Sequence, residues 1–359
     1  MPLSTTVSRP LTAFIHLGAW GDLYVSTAAL RDVCDRHPEV AVVGSVKWLD
    51  LLQPKDWPRV REIWVSEDGR HAERHELRDG RWASTGHHSL RTLFHKVHTS
   101  YNLRTESFRF SWAPLLGGVP ERHGSAPFPW SYVFYTHRAP WLGKDPRIHE
   151  RDRLLQVVEA PDHLGEYAAS WKRGTGLPML KTPDRANGER IAGTKAGTYW
   201  LFNPTSSRRT KAWPADRLSQ LLVKLQPHLE AKGLTWRVIG APNETDWLRE
   251  TLPAGFNAKD YVIQTATISD LSDVLSGAAV LVTNASSMQF LAAGFGVRTL
   301  NLIGRTDPVI WGPLGPRDSI VPGRIDPELD SQIFEQERVA YESVPVERVL
   351  DACLAILNS

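Results

Sequence analysis

The clearest structural signal in the sequence is Val280-Leu-Val-Thr-Asn-Ala-Ser-Ser-Met-Gln-Phe-Leu-Ala-Ala-Gly-Phe-Gly296, closely followed by Arg298-Thr-Leu-Asn-Leu-Ile-Gly-Arg-Thr-Asp-Pro308. The pattern predicts a buried strand, a polar turn, a short helix that ends at Gly296, a second buried strand and a polar loop. Such a turn aims unpaired backbone N–H groups and the positive end of a helix dipole at one point beyond the sheet. That point would suit a phosphate, but Ser286 or Ser287 there is also typical of a simple helix cap.

Length, composition and charge restrict the class of protein. The 359 residues, 42% of them hydrophobic, are enough for one large core or two ordinary ones, and two are favoured. A net charge of +2 argues against nucleic-acid binding over the whole surface. The two cysteines, Cys34 and Cys353, are predicted to be core thiols in a reducing compartment. The absence of a signal peptide and of any membrane-spanning run predicts a soluble, cytoplasmic protein.

The first half of the chain alternates strand-like and helix-like segments. Residues 12–17 are an apolar run, residues 18–22 a glycine-bearing turn, and residues 23–35 have helical spacing. Further strands are predicted at residues 40–43 and 63–65. This alternation favours a parallel sheet and the opening of a Rossmann-like domain.

Histidines crowd the polar region at residues 70–109: His71, His75, His87, His88, His95 and His98. The spacing of the last four could suggest a metal site, but no carboxylate or cysteine pattern accompanies them. A solvated or acceptor-facing helix is therefore the favoured interpretation. Residues 125–141 are predicted to form an irregular loop with aromatic side chains, and loops of that length are commonly functional.

The second half repeats the alternation after a predicted linker at residues 175–197, which is rich in glycine, proline and charge. The predicted strands are residues 198–202, 235–240 and 262–263, and the predicted helices are residues 214–225, 244–252, 269–275 and 346–357. Two α/β halves of similar build suggest the GT-B arrangement, in which a nucleotide binds one half and an acceptor the other. The pattern alone does not separate this arrangement from other proteins with two Rossmann-like domains.

Six segments, taken in order, resemble glycosyltransferase family nine, the ADP-heptose:lipopolysaccharide heptosyltransferases. The segments are Leu17-Gly-Ala-Trp-Gly-Asp-Leu-Tyr-Val-Ser-Thr-Ala-Ala-Leu-Arg31, Gly118-Val-Pro-Glu-Arg-His-Gly124, His149 with Arg153, Asn203-Pro-Thr-Ser-Ser-Arg-Arg-Thr-Lys-Ala-Trp-Pro214, Gly240-Ala-Pro-Asn-Glu244 and Gly304-Arg-Thr-Asp-Pro308. Each segment is weak alone, but six in the family's order are fairly specific. The resemblance implies a GT-B fold of two Rossmann-like domains facing across a cleft. Residues 1–185 would bind the acceptor, residues 186–335 the nucleotide sugar, and residues 336–359 would be a C-terminal helix.

The resemblance implies an inverting glycosyltransferase that moves a sugar, expected to be heptose from ADP-heptose, to an anionic glycan such as the lipopolysaccharide inner core. Such transfer needs a base for the acceptor hydroxyl and positive charge for the departing nucleoside diphosphate. Asp22 is the predicted base, although an aspartate there is also typical of a helix cap. Lys211 is the predicted counter-charge, against the alternative of a solvated loop lysine. Ser206 and Ser207 would assist it, with Arg208 or Arg209 nearby.

The central stretch is where this chain departs from the family's pattern. The family commonly has Asp-Thr-Gly followed three positions later by His, whereas this chain has Asn284-Ala285-Ser286 and then Gln289. These residues are still predicted to bind the diphosphate, and Asn284 and Gln289 to hydrogen-bond the sugar. Glu244 would accept hydrogen bonds from ribose hydroxyls, or be an ordinary first-turn helix glutamate.

Acceptor binding is predicted from the basic part of the first half. Gly21 and Arg122 are the candidate contacts, with Arg104 and Arg109 in the same region, although exposed charge on any protein would look the same. The sequence has no Asp-x-Asp pair or acidic cluster for a magnesium or manganese ion, so we expect metal-independent transfer without a cofactor. A glycolipid acceptor would add peripheral contact with the inner face of a membrane.

Three alternatives to this interpretation remain open. The altered central stretch could belong to a nucleotide-sugar-binding protein without transferase activity, or to a transferase that uses a different nucleotide sugar. A cofactor-binding oxidoreductase is the third, but Gly18-Ala-Trp-Gly21 lacks the third glycine of the dinucleotide fingerprint.

Overall fold

The computed structural model describes residues 11–103, 108–125, 132–139, 148–159, 177–325, 328 and 333–359. The chain divides into two compact units, residues 1–173 and 174–359. Arg104, residues 126–131 and 140–141 of the predicted loop, and the first two residues of the predicted linker lie outside the described residues. Each unit is an α/β structure built around one sheet, as predicted.

The sheet of the first unit has eight described strands in the order β5-β4-β3-β2-β1-β6-β7-β8. Their bounds are β1 Leu11–His16, β2 Val40–Gly44, β3 Val60–Val65, β4 His71–Arg78, β5 Arg81–Ser89, β6 Val97–Asn102, β7 Glu121–Ser125 and β8 His137–Ala139. Six neighbouring strands, β3-β2-β1-β6-β7-β8, are parallel. If β4 and β5 are left out, the strands across the sheet are the third, second, first, fourth, fifth and sixth in the chain, which is written 3-2-1-4-5-6. This is the strand order of a Rossmann fold.

Helices cover the parallel part of this sheet: α1 Trp20–Arg36, α2 Lys47–Leu51, α3 Leu90–Phe94, α4 Phe108–Leu116 and α5 Glu150–Glu159. The predicted first strand, first helix, second strand and third strand are all confirmed, with bounds that differ by a few residues. Cys34 lies buried in α1, and burial raises the pKa of its thiol to about 12, as expected of a core thiol.

The prediction of a helix in the histidine-rich region is wrong. β4 and β5 form an antiparallel hairpin on the edge of the sheet, and Arg78 pairs with Arg81 across its turn. The turn is Asp79-Gly80, and both residues have positive φ, +50° and +74°. Such a turn matches the twist of a hairpin, and Asp-Gly between two strands is a strong hairpin signal. The strands are largely exposed, so their polar composition resembled that of a solvated helix.

A ladder of aromatic rings crosses β6, β7 and β8. Tyr101, His123 and His137 are direct neighbours on adjacent strands. The His123 ring lies 4.4 Å from that of Tyr101 and 4.2 Å from that of His137, measured between centroids. Burial, and then the neighbouring His137, lowers the pKa of His123 to about 3.

The sheet of the second unit has six described strands, all parallel, in the order β11-β10-β9-β12-β13-β14. Their bounds are β9 Tyr199–Asn203, β10 Thr235–Gly240, β11 Val262–Gln264, β12 Val280–Asn284, β13 Arg298–Ile303 and β14 Ser319–Pro322. This is again the order 3-2-1-4-5-6. The direction of connection therefore reverses between β9 and β12, which lie side by side. β14 was missed by the sequence patterns.

Nine described helices belong to this unit: α6 Arg185–Ala192, α7 Ala215–Glu230, α8 Thr245–Glu250, α9 Ala258–Tyr261, α10 Ile268–Ser276, α11 Met288–Gly294, α12 Pro308–Trp311, α13 Ile333–Glu342 and α14 Val346–Leu357. The predicted terminal segment at 336–359 is in fact two helices. Its buried residues, including Val349 and Cys353, pack in the core with Trp200 and Trp236, so the segment is part of the second unit. Among the described helices, none combines the length and apolar character needed to span a membrane.

The predicted linker is also structured where it is described. Lys181 donates to Asp273 Oδ1 at 2.6 Å, and the Asp184 N–H donates to the same oxygen at 2.8 Å. Asn187, in α6, donates to Asp273 Oδ2 at 2.9 Å. Residues 181–192 are thus fixed to α10, and the division of the chain lies at 173/174 rather than at 185/186.

Replacing Lys181 should therefore destabilise the protein. Lys181→Met leaves the carboxylate of Asp273, whose side chain is 2% exposed, without its cation. We expect a loss of about 3 kcal/mol in the free energy of unfolding by urea. Arg185→Met is the matched control, because it removes an exposed pair with Glu189 and should hardly move the transition midpoint. Equal midpoints for wild type and Lys181→Met would contradict the assignment.

The ladder predicts a pH dependence of stability. Because the pKa of His123 is lowered to about 3 in the folded state, the unfolded chain binds the proton first as the pH falls. The contribution of His123 to stability is complete above about pH 6.5 and is lost as the pH falls from there toward 3. His123→Phe keeps the ring but not the titration, so it should lose less stability than wild type between pH 7 and pH 5 in urea melts. Parallel losses would contradict this.

Candidate functional site

The strongest candidate site lies where β9 and β12 end side by side. In open parallel sheets, ligands bind beyond the carboxyl ends of the strands where the connection reverses direction. β9 ends at Asn203 and continues into a polar loop, here called the phosphate loop, residues 203–213. β12 ends at Asn284 and continues into a turn, residues 285–287, that leads into α11.

Asn284 joins these two segments. Its side chain is buried, its Nδ2 donates to the carbonyl of Pro204 at 2.8 Å, and its Oδ1 accepts from the N–H of Trp213 at 3.0 Å. One carboxamide thus holds both ends of the phosphate loop. Asn284 was predicted to bind diphosphate and sugar, but the structure places its polar atoms on protein backbone.

The hydroxyl groups beside Asn284 form a second connection. Thr283 Oγ1 lies 3.1 Å from both Asn203 Oδ1 and Ser286 Oγ. Asn203 Nδ2 donates in turn to Thr205 Oγ1 at 3.1 Å. The start of the phosphate loop and the turn after β12 are therefore linked by side chains as well as through Asn284.

The backbone N–H groups of the turn after β12 differ in whether they are already hydrogen-bonded within the protein. The Ala285 N–H donates to the Leu302 carbonyl at 2.9 Å, so this predicted diphosphate contact is already used within the sheet. Within the part of the chain that the structure describes, the N–H groups of Ser286 and Ser287 have no protein acceptor. These two groups, at the start of α11, are the donors that the predicted phosphate site retains.

Lys211 ends a single 3-10 turn, Arg209–Lys211, in the phosphate loop. Its ammonium group lies 3.3 Å from Glu337 Oε1 on α13, and its side chain is 36% exposed, so it can still reach a ligand. Ser206 is half-buried and Ser207 is exposed on the same loop. The loop therefore presents one cation and two hydroxyls.

The two arginines of the phosphate loop are engaged elsewhere. Arg209 forms a forked pair with Glu250, with N–O distances of 2.5 and 3.0 Å, and lies over the Trp247 ring. Arg208 lies over the Phe334 ring, 4.4 Å from its centroid. Lys211 is thus the better placed cation of the three for a ligand.

Gln289 and Glu244 both have structural partners. Gln289 is buried, and its Nε2 donates to the Trp311 carbonyl at 2.9 Å. Glu244 Oε2 accepts from the Ala241 N–H at 2.8 Å, which is the capping role that the sequence left open. Neither contact tests the predicted roles in sugar and ribose binding, which stay predictions.

A small cavity of about 10 Å³ lies beneath the phosphate loop, lined by residues that include Phe202, Trp213, Leu218 and Val282. This volume has room for about one water molecule. It is therefore a packing space beneath the loop, far too small for a nucleotide.

In the first unit, Asp22 lies in the first turn of α1, shortly after the end of β1. Its Oδ2 accepts from the Ala19 N–H at 2.8 Å, as in a capping box. Gly18 permits this approach, because a Cβ at that position would lie 2.7 Å from the same oxygen. The cap orients the carboxylate, and its second oxygen, Oδ1, has no protein partner among the described residues.

Lys47 is a residue near Asp22 that the sequence analysis missed. Its Nζ donates to the Gly18 carbonyl at 3.4 Å and lies 5.5 Å from the centre of the Trp20 ring. No local pattern indicates this contact, because it joins α2 to the turn after β1. Gly21 is the second residue of α1, at the same helix start.

Arg122, a predicted acceptor contact, has protein partners. Its Nε donates to the Phe134 carbonyl at 2.8 Å and its Nη1 to the Val119 carbonyl at 2.6 Å. Burial lowers the pKa of this guanidinium. These bonds fix the segment before β8, and acceptor binding by Arg122 stays a prediction. Among the described residues, no group of three or more His, Cys, Asp or Glu is arranged to hold a metal ion.

Comparison with known proteins gives a family for part of the chain and similar structures for its fold. Residues 158–336 match the family model "Glycosyltransferase family 9 (heptosyltransferase)". No curated protein sequence matches the chain. The fold is similar to that of the ADP-heptose LPS heptosyltransferase II of E. coli, with a TM-score of 0.71, 17% identity, and coverage of 97% of this chain and 98% of that one.

Two further solved structures share the fold. The family 9 glycosyltransferase from Veillonella parvula DSM 2008 has a TM-score of 0.69 and 16% identity, with 97% of each chain covered. The E. coli heptosyltransferase WaaC with ADP-2-deoxy-2-fluoro heptose has a TM-score of 0.63 and 15% identity, with 97% of this chain and 100% of that one covered. The predicted GT-B class is confirmed.

The two hydrogen bonds by which Asn284 holds the phosphate loop can be tested by substitution. Asn284→Asp places a carboxylate at this position, which cannot donate to the Pro204 carbonyl and would be buried against it. We expect a loss of about 2 kcal/mol in the free energy of unfolding. The matched control is Asn257→Asp at the exposed start of α9, where the side chain only accepts, from the Lys259 N–H, and stability should be kept. An Asn284→Asp variant as stable as wild type would show that these two hydrogen bonds do not hold the phosphate loop.

Proposed function

We propose that this chain, whose residues 158–336 match the glycosyltransferase family 9 model, moves heptose from ADP-heptose to an anionic glycan such as the inner core of lipopolysaccharide. The observation that carries the proposal is the junction of β9 and β12. There a half-exposed lysine, loop hydroxyls and the N–H groups of Ser286 and Ser287, just before α11, lie at the reversal point of a Rossmann sheet. That combination suits a diphosphate.

In this proposal, Lys211 stabilises the charge that develops on the departing diphosphate. The ammonium group is a compact cation on a flexible stem, so it can follow an oxygen that gains charge in the transition state. Ser206 and Ser207 and the N–H groups of Ser286 and Ser287 add neutral donors. The charge of the leaving group is met by protein groups, and the transfer is proposed to need no metal ion, so added EDTA should leave the rate unchanged.

Asp22 is proposed to take the proton from the acceptor hydroxyl as that oxygen attacks the anomeric carbon, with inversion. The Ala19 N–H holds Oδ2, which fixes the carboxylate and leaves Oδ1 as the acceptor of the proton. Capping and catalysis are thus compatible in one side chain. A glycolipid acceptor would bring the enzyme to the inner face of a membrane by peripheral contact.

A transferase that uses a different nucleotide sugar is the second candidate. It is favoured by the contacts of Asn284, because both polar atoms of this side chain are bonded to backbone atoms of the phosphate loop. Release of ADP from ADP-heptose, or of another nucleoside diphosphate from its sugar donor, separates the two candidates directly.

A thermal-shift panel tests the nucleotide. ADP, GDP, UDP and dTDP would be compared at high concentration, because a ligand at a hundred times its dissociation constant stabilises by about 2.7 kcal/mol. Stabilisation by ADP above the other three is the expected result. A larger shift with another diphosphate would favour the second candidate, and no shift with any of them would refute a nucleotide-sugar enzyme.

The role of Asp22 is tested by Asp22→Asn. Asparagine can still accept from the Ala19 N–H but cannot take a proton, so transfer should fall by at least about 100-fold. The dissociation constant for ADP should stay the same, since the proposed contacts to the diphosphate are Lys211, Ser206, Ser207 and the N–H groups of Ser286 and Ser287. Asp32→Asn, which removes a partly exposed carboxylate paired with Arg36 on the same helix, is the control and should keep full activity. Unchanged transfer by Asp22→Asn would rule out the catalytic role.

A further inference from the structure

Helix α13 contacts both segments of the candidate site with one face. Phe334, Glu337 and Tyr341 are spaced three and four residues apart, which places them on the same side of the helix. Phe334 lies under the Arg208 guanidinium, and Glu337 pairs with Lys211. The Tyr341 hydroxyl lies 3.3 Å from both the Ala285 nitrogen and the Leu302 carbonyl oxygen.

The far end of α13 is fixed as well. Trp213 Nε1 donates to the Val344 carbonyl at 3.0 Å, and Arg217 Nη1 donates to the same oxygen at 2.8 Å. The Tyr341 ring lies against Gly304, where a Cβ would come within 2.5 Å of it. The helix is therefore held in one position relative to the phosphate loop, and so is the carboxylate of Glu337.

The two members of the Lys211–Glu337 pair differ in their access to water. The Glu337 side chain is 5% exposed, whereas that of Lys211 is 36% exposed. A buried carboxylate needs a cation, and the charged partner that contacts it here is the same lysine proposed to neutralise the diphosphate. Since an ammonium group has three N–H donors, Lys211 can contact Glu337 and a phosphate oxygen together.

We infer that Glu337 is a positioning residue that acts through Lys211: it holds the ammonium at the phosphate loop and, by its own negative charge, weakens the binding of the diphosphate. The inference rests on the proposed function and extends it to product release. A fixed negative charge behind Lys211 reduces the positive potential that the diphosphate meets. The product nucleotide therefore leaves more readily than it would from an unopposed lysine. Glu337 lies just outside the residues that match the family model, 158–336.

The experiment measures the dissociation constants of adenosine, AMP and ADP by calorimetry for wild type and Glu337→Gln. Glutamine keeps an oxygen that accepts from Lys211 but removes the charge. ADP should bind about three- to fivefold more tightly to the variant, AMP less so, and adenosine equally well. A purely structural role of Glu337 would change all three affinities alike, so the dependence on phosphate number identifies the electrostatic one.

The matched control is Glu335→Gln on the same helix. Glu335 is exposed and pairs with Arg338, so this substitution changes the net charge equally without touching Lys211. It should leave all three dissociation constants unchanged. Tighter ADP binding by both variants would show a general charge effect and overturn the inference.

A second measurement needs no ligand. Lys211→Met should lower the thermal unfolding temperature by leaving Glu337 without a cation, and Lys211→Met with Glu337→Gln should recover it. No recovery would overturn the pairing.

If wild type binds ADP but Glu337→Gln binds it no more tightly, the inference fails and the proposed function stands. If wild type binds no nucleoside diphosphate, the proposed function fails.

Discussion

The carboxamide of Asn284 is the contact on which the arrangement of the second unit's candidate site depends. It is one side chain at the end of a central strand, and it fixes a loop of about ten residues at both ends. An amide can do this because it donates and accepts in one plane, whereas a carboxylate can only accept. The cost of burying the amide is offset because both of its polar atoms are bonded.

With the loop fixed, its charged and polar groups gain defined positions. Lys211 extends from the end of the 3-10 turn, Ser206 and Ser207 lie ahead of it, and the N–H groups at the start of α11 lie on the neighbouring strand's turn. α13 then supports the loop from the other side through Phe334 and Glu337. Preorganised donors of this kind are the usual means by which proteins stabilise a charge that develops during a reaction.

The first unit shows how a capping residue can also be available for chemistry. Asp22 caps α1 with one oxygen, and this bond orients the other. The sequence could not distinguish a cap from a base, because both uses place an aspartate in the first helical turn. The structure shows that Asp22 caps the helix through Oδ2. Its Oδ1 has no protein partner among the described residues, so this oxygen is available to accept a proton.

Much of the fold followed from periodicity. The strands at β1, β2, β9, β10 and β12 are apolar runs, and the terminal helix at 346–357 was predicted with the bounds that the structure has. The parallel sheets of both units follow from the same alternation, whereas the strand order 3-2-1-4-5-6 does not, because doubly wound folds with another order share that alternation. The hairpin β4–β5 was missed although Asp79-Gly80 signalled it, because its two strands are polar and lack the regular apolar alternation of a half-buried strand.

The linker was missed for a different physical reason. Its glycine, proline and charge resemble a flexible segment, but Lys181 and Asn187 find a buried carboxylate on a helix that lies far along the chain. In the candidate site, too, contacts between segments far apart in the chain could not be predicted. The motifs indicated Lys211 and Asp22, whereas Glu337, Tyr341 and Lys47 act through contacts between distant segments, which no local spacing reveals.

The proposed function requires that a nucleoside diphosphate binds at the junction of β9 and β12. A crystal structure of the protein with ADP measures this most directly. We expect both phosphates within hydrogen-bonding distance of Lys211 Nζ and of the N–H groups of Ser286 and Ser287. Phosphates bound at any other place on the chain, with Lys211 remote from them, would contradict it.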